Sequence, residues 1–243
     1  MKQMAQLALT AYSLSFSQAA RSDIRWLYSE LVDDLKFIDE QATQALISTG
    51  LYMMPPITPS SESVNFVKRQ SFLAGIFIKK RPLTVMEIQQ LFQNAQSNAL
   101  GKALLTGLMQ VVQLETLRDY FVRGQKMSNK YYDIFTDILR DEDIPIPSTF
   151  DGEVTASTES PFSDKLMMSQ VSLLIPTGLG NYGMALSMIQ RRDLAATFAK
   201  IMVEVGAYAE DGANLLINMG WLEQPPLALD RKHQQKPSSM TAK

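Results

Sequence analysis

The sequence predicts an all-α protein assembled by repetition, and three observations carry that prediction. Ile24 to Pro56 recurs without a gap as Leu194 to Pro226, 170 positions later, and the flanks follow suit. The offset pairs Tyr12 with Tyr182, Arg21 with Arg191, Asp23 with Asp193, Gly50 with Gly220, and Pro55-Pro56 with Pro225-Pro226. In both copies the apolar positions advance by alternating steps of four and three. Ile24, Tyr28, Leu31, Leu35, Ile38, Ala42, Ala45 and Thr49 fall opposite Leu194, Phe198, Ile201, Val205, Tyr208, Gly212, Leu215 and Met219. Such steps keep one stripe of a helix facing a neighbour, whereas a strand needs steps of two. Each copy closes on a Gly that can take the left-handed conformation, followed by a Pro pair that cannot continue the helix. Each opens after an arginine, at Ser22-Asp23 and Arg192-Asp193, where capping residues and an Asp suit the free N–H groups of a first turn.

Residues 1 to about 20 read as a helix with Met1, Ala5, Leu9, Tyr12, Phe16 and Ala19 along one side. With helix 22–49 it makes a hairpin over 1–52, and a lone hairpin cannot cover both of its apolar faces. The composition then changes to MMPPITPSSES at Met53–Ser63, which favours an extended or turning path, so 53–82 is expected to be a linker and strap. Within it, Phe66, Phe72, Ile76, Phe77 and Ile78 are interspersed with the basic pairs Lys68-Arg69 and Lys79-Lys80. Basic residues beside an apolar patch suit anionic lipid. These do not recur on one helical face, which favours a strap packed between bundles with solvated charges.

Thr84-Val85-Met86-Glu87 has the spacing of a capping box and starts a helix to about Val112, with Ile88, Phe92, Ala95 and Ala99 on its apolar side. Glu115 to Arg140 follows, with Leu117, Tyr120, Gly124, Met127, Tyr131, Ile134 and Ile138 in fours and threes, and stops at Pro145 and Pro147. Residues 148–161 form a polar loop. Ser163-Asp164 caps a helix to about residue 190, carrying Met168, Val171, Ile175, Leu179, Tyr182, Leu186 and Ile189, with a kink or broken turn expected at Pro176. Helix 193–219 closes a complete four-helix bundle over 83–226. The tail 227–243 is polar and expected to be disordered.

Composition narrows the function classes. The chain has 243 residues, 46% of them hydrophobic, with net charge −2, so it can bury a sizeable core and offers no global basic field for nucleic acid. The absence of Cys excludes disulfides, thiolate nucleophiles and zinc-thiolate sites and fits a reducing compartment. No run approaches the roughly 20 apolar residues of a membrane span, and no signal peptide is evident, so the expected location is cytoplasmic.

Three hairpins leave one over. The N-terminal hairpin is therefore expected either to pack on the complete bundle or to pair with its copy in a second molecule, giving a two-fold homo-oligomer.

The chemistry is sparse. The one His, His233, lies in the tail and cannot hold an imidazole in fixed geometry for a Ser-His-Asp arrangement. Asp193, Glu204 and Asp211 recur along one line of the last helix, at the flank of the buried stripe, and read as solvated or capping carboxylates rather than metal ligands. Gly178-Leu-Gly180-Asn-Tyr-Gly183 fits a dinucleotide fingerprint, with Glu204 at the spacing of a ribose-binding acid, but no strand precedes it. Its glycines are expected to let helices approach closely. Asn94, Asn98 and Lys102, four apart, read as hydrogen bonding at a helix or domain interface rather than a polar pocket. The fourteen Met residues, Met53-Met54 and Met167-Met168 among them, are expected to fill irregular core gaps.

NALGKALL at Asn98–Leu105, SDKLMM at Ser163–Met168, RRDLAA at Arg191–Ala196, and YAEDGAN with GWLEQPP at Tyr208–Pro226 resemble a family of spore-forming bacteria. That family is known as a domain of unknown function, and its members are often described as spore-coat-like. The resemblance covers Met1 to about Arg231 and implies ferritin-like bundles in tandem; this chain would lack the first hairpin of the first bundle, through a late start codon or a truncated gene. Ferritin-like di-iron sites take Glu from two helices and Glu-x-x-His from the others, and this chain has no Glu-x-x-His. The expected fold is thus a ferritin-like up-down four-helix bundle plus half of a second. The expected role is a non-catalytic structural or interaction protein associated with the spore, without catalytic, cofactor or metal residues. The alternative is a ferritin-like protein holding a metal or small ligand between helices.

Overall fold

The computed structural model describes residues 2–56, 63–75, 80–229 and 231, and the regular structure among them is entirely helical. The six helices are α1 (Lys2–Gln18), α2 (Ser22–Ser48), α3 (Val85–Val111), α4 (Glu115–Arg140), α5 (Asp164–Met188) and α6 (Arg192–Asn218). They form three sequential antiparallel hairpins. Among its described residues the expected strap contributes a 3-10 turn, Gln70–Leu73, and another 3-10 turn interrupts the loop at Asp151–Glu153.

Local sequence sets most of these boundaries. At α3 both halves of the capping box are made: Thr84 Oγ1 accepts from the Glu87 N–H at 3.3 Å, and Glu87 Oε2 accepts from the Thr84 N–H at 2.9 Å. Ser163 Oγ accepts from the Leu166 N–H at 3.2 Å and starts α5. Gly50 and Gly220 end α2 and α6 with φ of +70° and +66°, a conformation only Gly adopts without strain. At the end of α4 the non-glycine residue Asp143 takes that role, at φ 57°.

Two boundary expectations differ. The N-caps of α2 and α6 are Arg21 and Arg191, without a side-chain capping bond. Asp23 and Asp193 stand within the first turn and clamp those same arginines. Helix α5 continues through Pro176 without a broken turn, one of the two outcomes expected there. A single proline withholds only the N–H that would have reached Ser172, and the packed helix absorbs that loss.

Helices α3 to α6 share one interior with two apolar clusters. One joins Phe92, Phe135, Tyr182 and Phe198, the rings of Phe135 and Phe198 stacking at 4.9 Å. The other joins Leu108, Phe121, Met168 and Leu216 at the opposite end. Helix α3 is the most covered of the six, since no residue from Gln90 to Met109 is exposed. Neither cluster contains a buried residue of α1 or α2. Those helices hold each other through Lys2 with both carboxylate oxygens of Asp39, Arg25 with the carbonyls of Phe16 and Ala19, and the Tyr12–Tyr28 ring pair.

Candidate functional site

The candidate residues named by the sequence are mostly occupied in holding helices together. Asp193 is bound by Arg191 and Lys80, Glu204 by Lys130 and the Tyr131 hydroxyl, and Asp211 by Arg123. Each carboxylate faces a different cation, and the three do not converge. Among the described residues, no group of three or more His, Asp or Glu is placed to hold a metal.

Asn94 and Asn98 are buried. Asn98 exchanges two hydrogen bonds with the Tyr182 hydroxyl, donating at 2.9 Å and accepting at 3.0 Å, and Lys102 reaches Asp151 at 2.8 Å. Burial pushes the Tyr182 phenol up to about 12, so it stays a donor throughout the neutral range.

The glycines of α5 behave otherwise than expected. A Cβ at Gly178 or Gly180 would meet nothing within 4 Å, and at Gly183 only Met202 at 3.9 Å, so no close helix approach depends on them. They lie within α5, with no strand before them among the described residues. Met167 and Met168 are fully buried and Met53 packs on the core, while Met54 is exposed. In the strap Phe66 and Val67 are exposed, Arg81 lies over the Phe72 ring at 4.1 Å, and Lys80 pairs with Asp193. Ile76, Phe77, Ile78 and Lys79 fall outside the described residues, as does His233 with most of the tail.

Two arrangements escape the sequence pattern. The first is a buried polar latch at the end of the bundle where α3 and α6 begin. The Glu87 carboxylate, fully buried, accepts from Arg81 Nη1 and Nη2 at 2.7 and 2.9 Å and from the backbone N–H groups of Thr84, Gln190 and Arg191. Burial alone would raise its pKa, but these donors outweigh that and hold it at about 2. Arg191, itself 1% exposed, binds Asp193, Glu142 and the Arg81 carbonyl. Every strong donor and acceptor here is paired within the protein, so the latch fixes strap, α3, α4 and α6 together and offers no free group for chemistry.

The second is a reciprocal clasp between α4 and α6. The rings of Tyr120 and Tyr208 stack at 4.2 Å, and each hydroxyl donates to the other's backbone carbonyl, at 3.0 and 3.1 Å. Each ring lies across the partner helix's glycine, Tyr120 over Gly212 and Tyr208 over Gly124, where a Cβ would clash with the phenol. The contact is symmetric, Tyr-x-x-x-Gly against Tyr-x-x-x-Gly, so α3–α4 and α5–α6 meet through an approximate two-fold relation.

The N-terminal hairpin lacks this enclosure. Helix α6 buries Leu194, Phe198, Ile201, Val205, Tyr208, Gly212 and Leu216; α2, offset by 170 positions and equally long, buries no residue at all. The same Arg-x-Asp pair is solvated at Arg21–Asp23 and enclosed at Arg191–Asp193. Leu27 and Ile38, about three turns apart, are exposed on one row of α2, and Trp26 and Phe37 stand on the adjacent row at 66% and 67% exposure. The matching positions of α6 are Ala196 and Ala207. An outward face that carries alanine in one helix carries a tryptophan and a phenylalanine in the other.

Residues 71–233 match a family described as a protein of unknown function, DUF3231. Among solved structures, the chain is similar to the crystal structure of a candidate spore coat protein from Bacillus halodurans, at 17% identity and a TM-score of 0.56, over 62% of this chain and 98% of that one. At that identity the likeness is one of fold. No curated protein matches the chain.

Proposed function

The chain belongs to that family of proteins of unknown function, and from this premise we propose that it is a non-catalytic, spore-associated interaction protein that pairs with a second copy through its N-terminal hairpin. The observation that carries the pairing is the difference between α2 and α6: Trp26 and Phe37 are exposed on α2 where α6 carries Ala196 and Ala207, and α2 buries no residue while α6 buries seven. Exposed apolar faces of this kind mark interaction surfaces. A second copy fits because the bundle itself joins hairpin to hairpin through a reciprocal, nearly two-fold contact. Two α1–α2 hairpins related by a true two-fold would meet through the outward row that carries Trp26 and Phe37. On this reading the recurrence at 170 positions is an internal duplication, 83–226 is a ferritin-like bundle, and residues 1–52 are half of another.

The non-catalytic part rests on the separate pairing of Asp193, Glu204 and Asp211, each with its own cation. Spore association rests on the likeness to the candidate spore coat protein alone. Light scattering on the full chain tests the pairing. The expected mass is twice 27.2 kDa, and Phe37→Glu should return it to the monomer with unchanged helicity. A monomeric wild-type chain overturns the pairing. Stoichiometric iron or manganese in protein purified without chelator overturns the non-catalytic reading, and exclusion of the protein from purified spores overturns the location.

A further inference from the structure

The side of α2 that carries Trp26 and Phe37 is also its acidic side. Glu30, Asp33 and Asp34 stand on or beside that row between the two aromatics, and all three are exposed. Lys36 pairs with Asp33, but among the described residues Glu30 and Asp34 have no partner. Four residues apart, these two repel each other across one turn. Two copies of the row brought squarely together would also set carboxylates against carboxylates, so the apolar contact of Trp26 and Phe37 needs positive charge beside it.

The strap carries the complement of this surface. Residues 63–71 are exposed without interruption, with Val64, Phe66 and Val67 at 84%, 80% and 60%. Lys68 and Arg69 follow directly, and among the described residues neither side chain enters an ion pair or donates a hydrogen bond. Apolar and basic groups stand together here as apolar and acidic groups do on α2. Both surfaces are uncovered in the single chain, so they do not cover each other within it. Each copy offers one of each, which is what a reciprocal two-fold contact requires.

We infer that in the dimer residues 64–69 of each copy lie along α2 of the other, with Phe66 and Val67 against Trp26 and Phe37 and with Lys68 and Arg69 beside Glu30 and Asp34. This rests on the self-association proposed above and supplies the charge that the α2 row lacks. A drawn-out chain advances about 6.6 Å in two residues, close to the roughly 6 Å between a helical residue and the fourth after it. Phe66 and Lys68 can therefore face Trp26 and Glu30 together. An anionic lipid surface would suit the strap but repel the acidic row, so it accounts for one of the two surfaces where a second copy accounts for both.

Sedimentation of the full chain over a dilution series, with helicity followed by circular dichroism, tests the contact. One variant carries Lys68→Glu and Arg69→Glu, the other Glu30→Lys and Asp34→Lys; all four positions are exposed, so helicity should be kept. Each variant alone should dimerise at least about tenfold more weakly than wild type, because both of its reciprocal contacts bring like charges together. Mixed one to one, the two should form a heterodimer, since both contacts then join opposite charges. A monomeric wild-type chain overturns the pairing itself. Where wild type dimerises, undiminished dimerisation of the Lys68→Glu, Arg69→Glu variant, or no heterodimer on mixing, overturns the strap contact and leaves the α2 pairing standing. So does a variant that stays dimeric yet loses binding to phosphatidylglycerol vesicles, which would assign the strap to lipid.

Discussion

Replacing Glu87 by Gln keeps the shape of the latch and removes its charge. In the folded chain the Glu87 carboxyl is held at about 2, against an ordinary value of 4.5. That difference corresponds to about 3 kcal/mol of stabilisation at neutral pH. Because the folded value lies below the unfolded one, the folded state binds fewer protons. The contribution is complete above pH 4.5 and drains away as pH falls towards about 2. Asp193 moves in the same direction: burial works against it, and the pairing with Arg191 and Lys80 prevails. Glu87→Gln should therefore cost about 3–5 kcal/mol at neutral pH, since Arg81 is left beside a neutral amide in a largely enclosed position. Urea unfolding followed by circular dichroism at neutral pH and at about pH 3 measures the gap between wild type and variant, which should narrow on acidification. A gap below about 1 kcal/mol, or one that stays constant with pH, would refute the assignment of a structural charge to Glu87.

Further outcomes follow from the glycines and the exposed aromatics. Gly124→Ala should destabilise by about 1–3 kcal/mol because its methyl collides with the Tyr208 phenol, whereas Gly206→Ala, with nothing within 4 Å, should stabilise by up to about 1 kcal/mol; thermal melts compare the two. Gly50→Ala forces a non-glycine into φ +70° and should cost about 1 kcal/mol in the same assay. Trp26→Ala should weaken dimerisation by at least about tenfold without lowering helicity, as read by sedimentation over a dilution series.

Periodicity delivered the six helices to within a few residues because it reads only the chain's own stripe spacing. Thr84–Glu87 was legible as a capping box for the same reason, all its partners lying within one turn. The second duty of that glutamate was hidden. Its bonds to Arg81 and to the backbone of Gln190 and Arg191 exist because distant chain segments converge, and no local spacing records that. The clasp left a trace, Tyr-x-x-x-Gly in both α4 and α6, but comparison at an offset of 170 set α6 against α2, where Ile38 and Ala42 replace the pair. Trp26 and Phe37 were missed because attention to the seam passes over the outward row. Gly178 and Gly180 misled in the other direction: small size permits close approach, and tertiary packing put the approach at Gly124 and Gly212 instead.

Helix α3 carries no exposed residue between Gln90 and Met109. Its amide protons can meet solvent only when a neighbouring helix lifts away, so in an exchange experiment this segment should be the slowest to take up deuterium, outlasting α1 and α2. Mutational tolerance should follow the same gradient, with α3 admitting few changes at any position around its circumference.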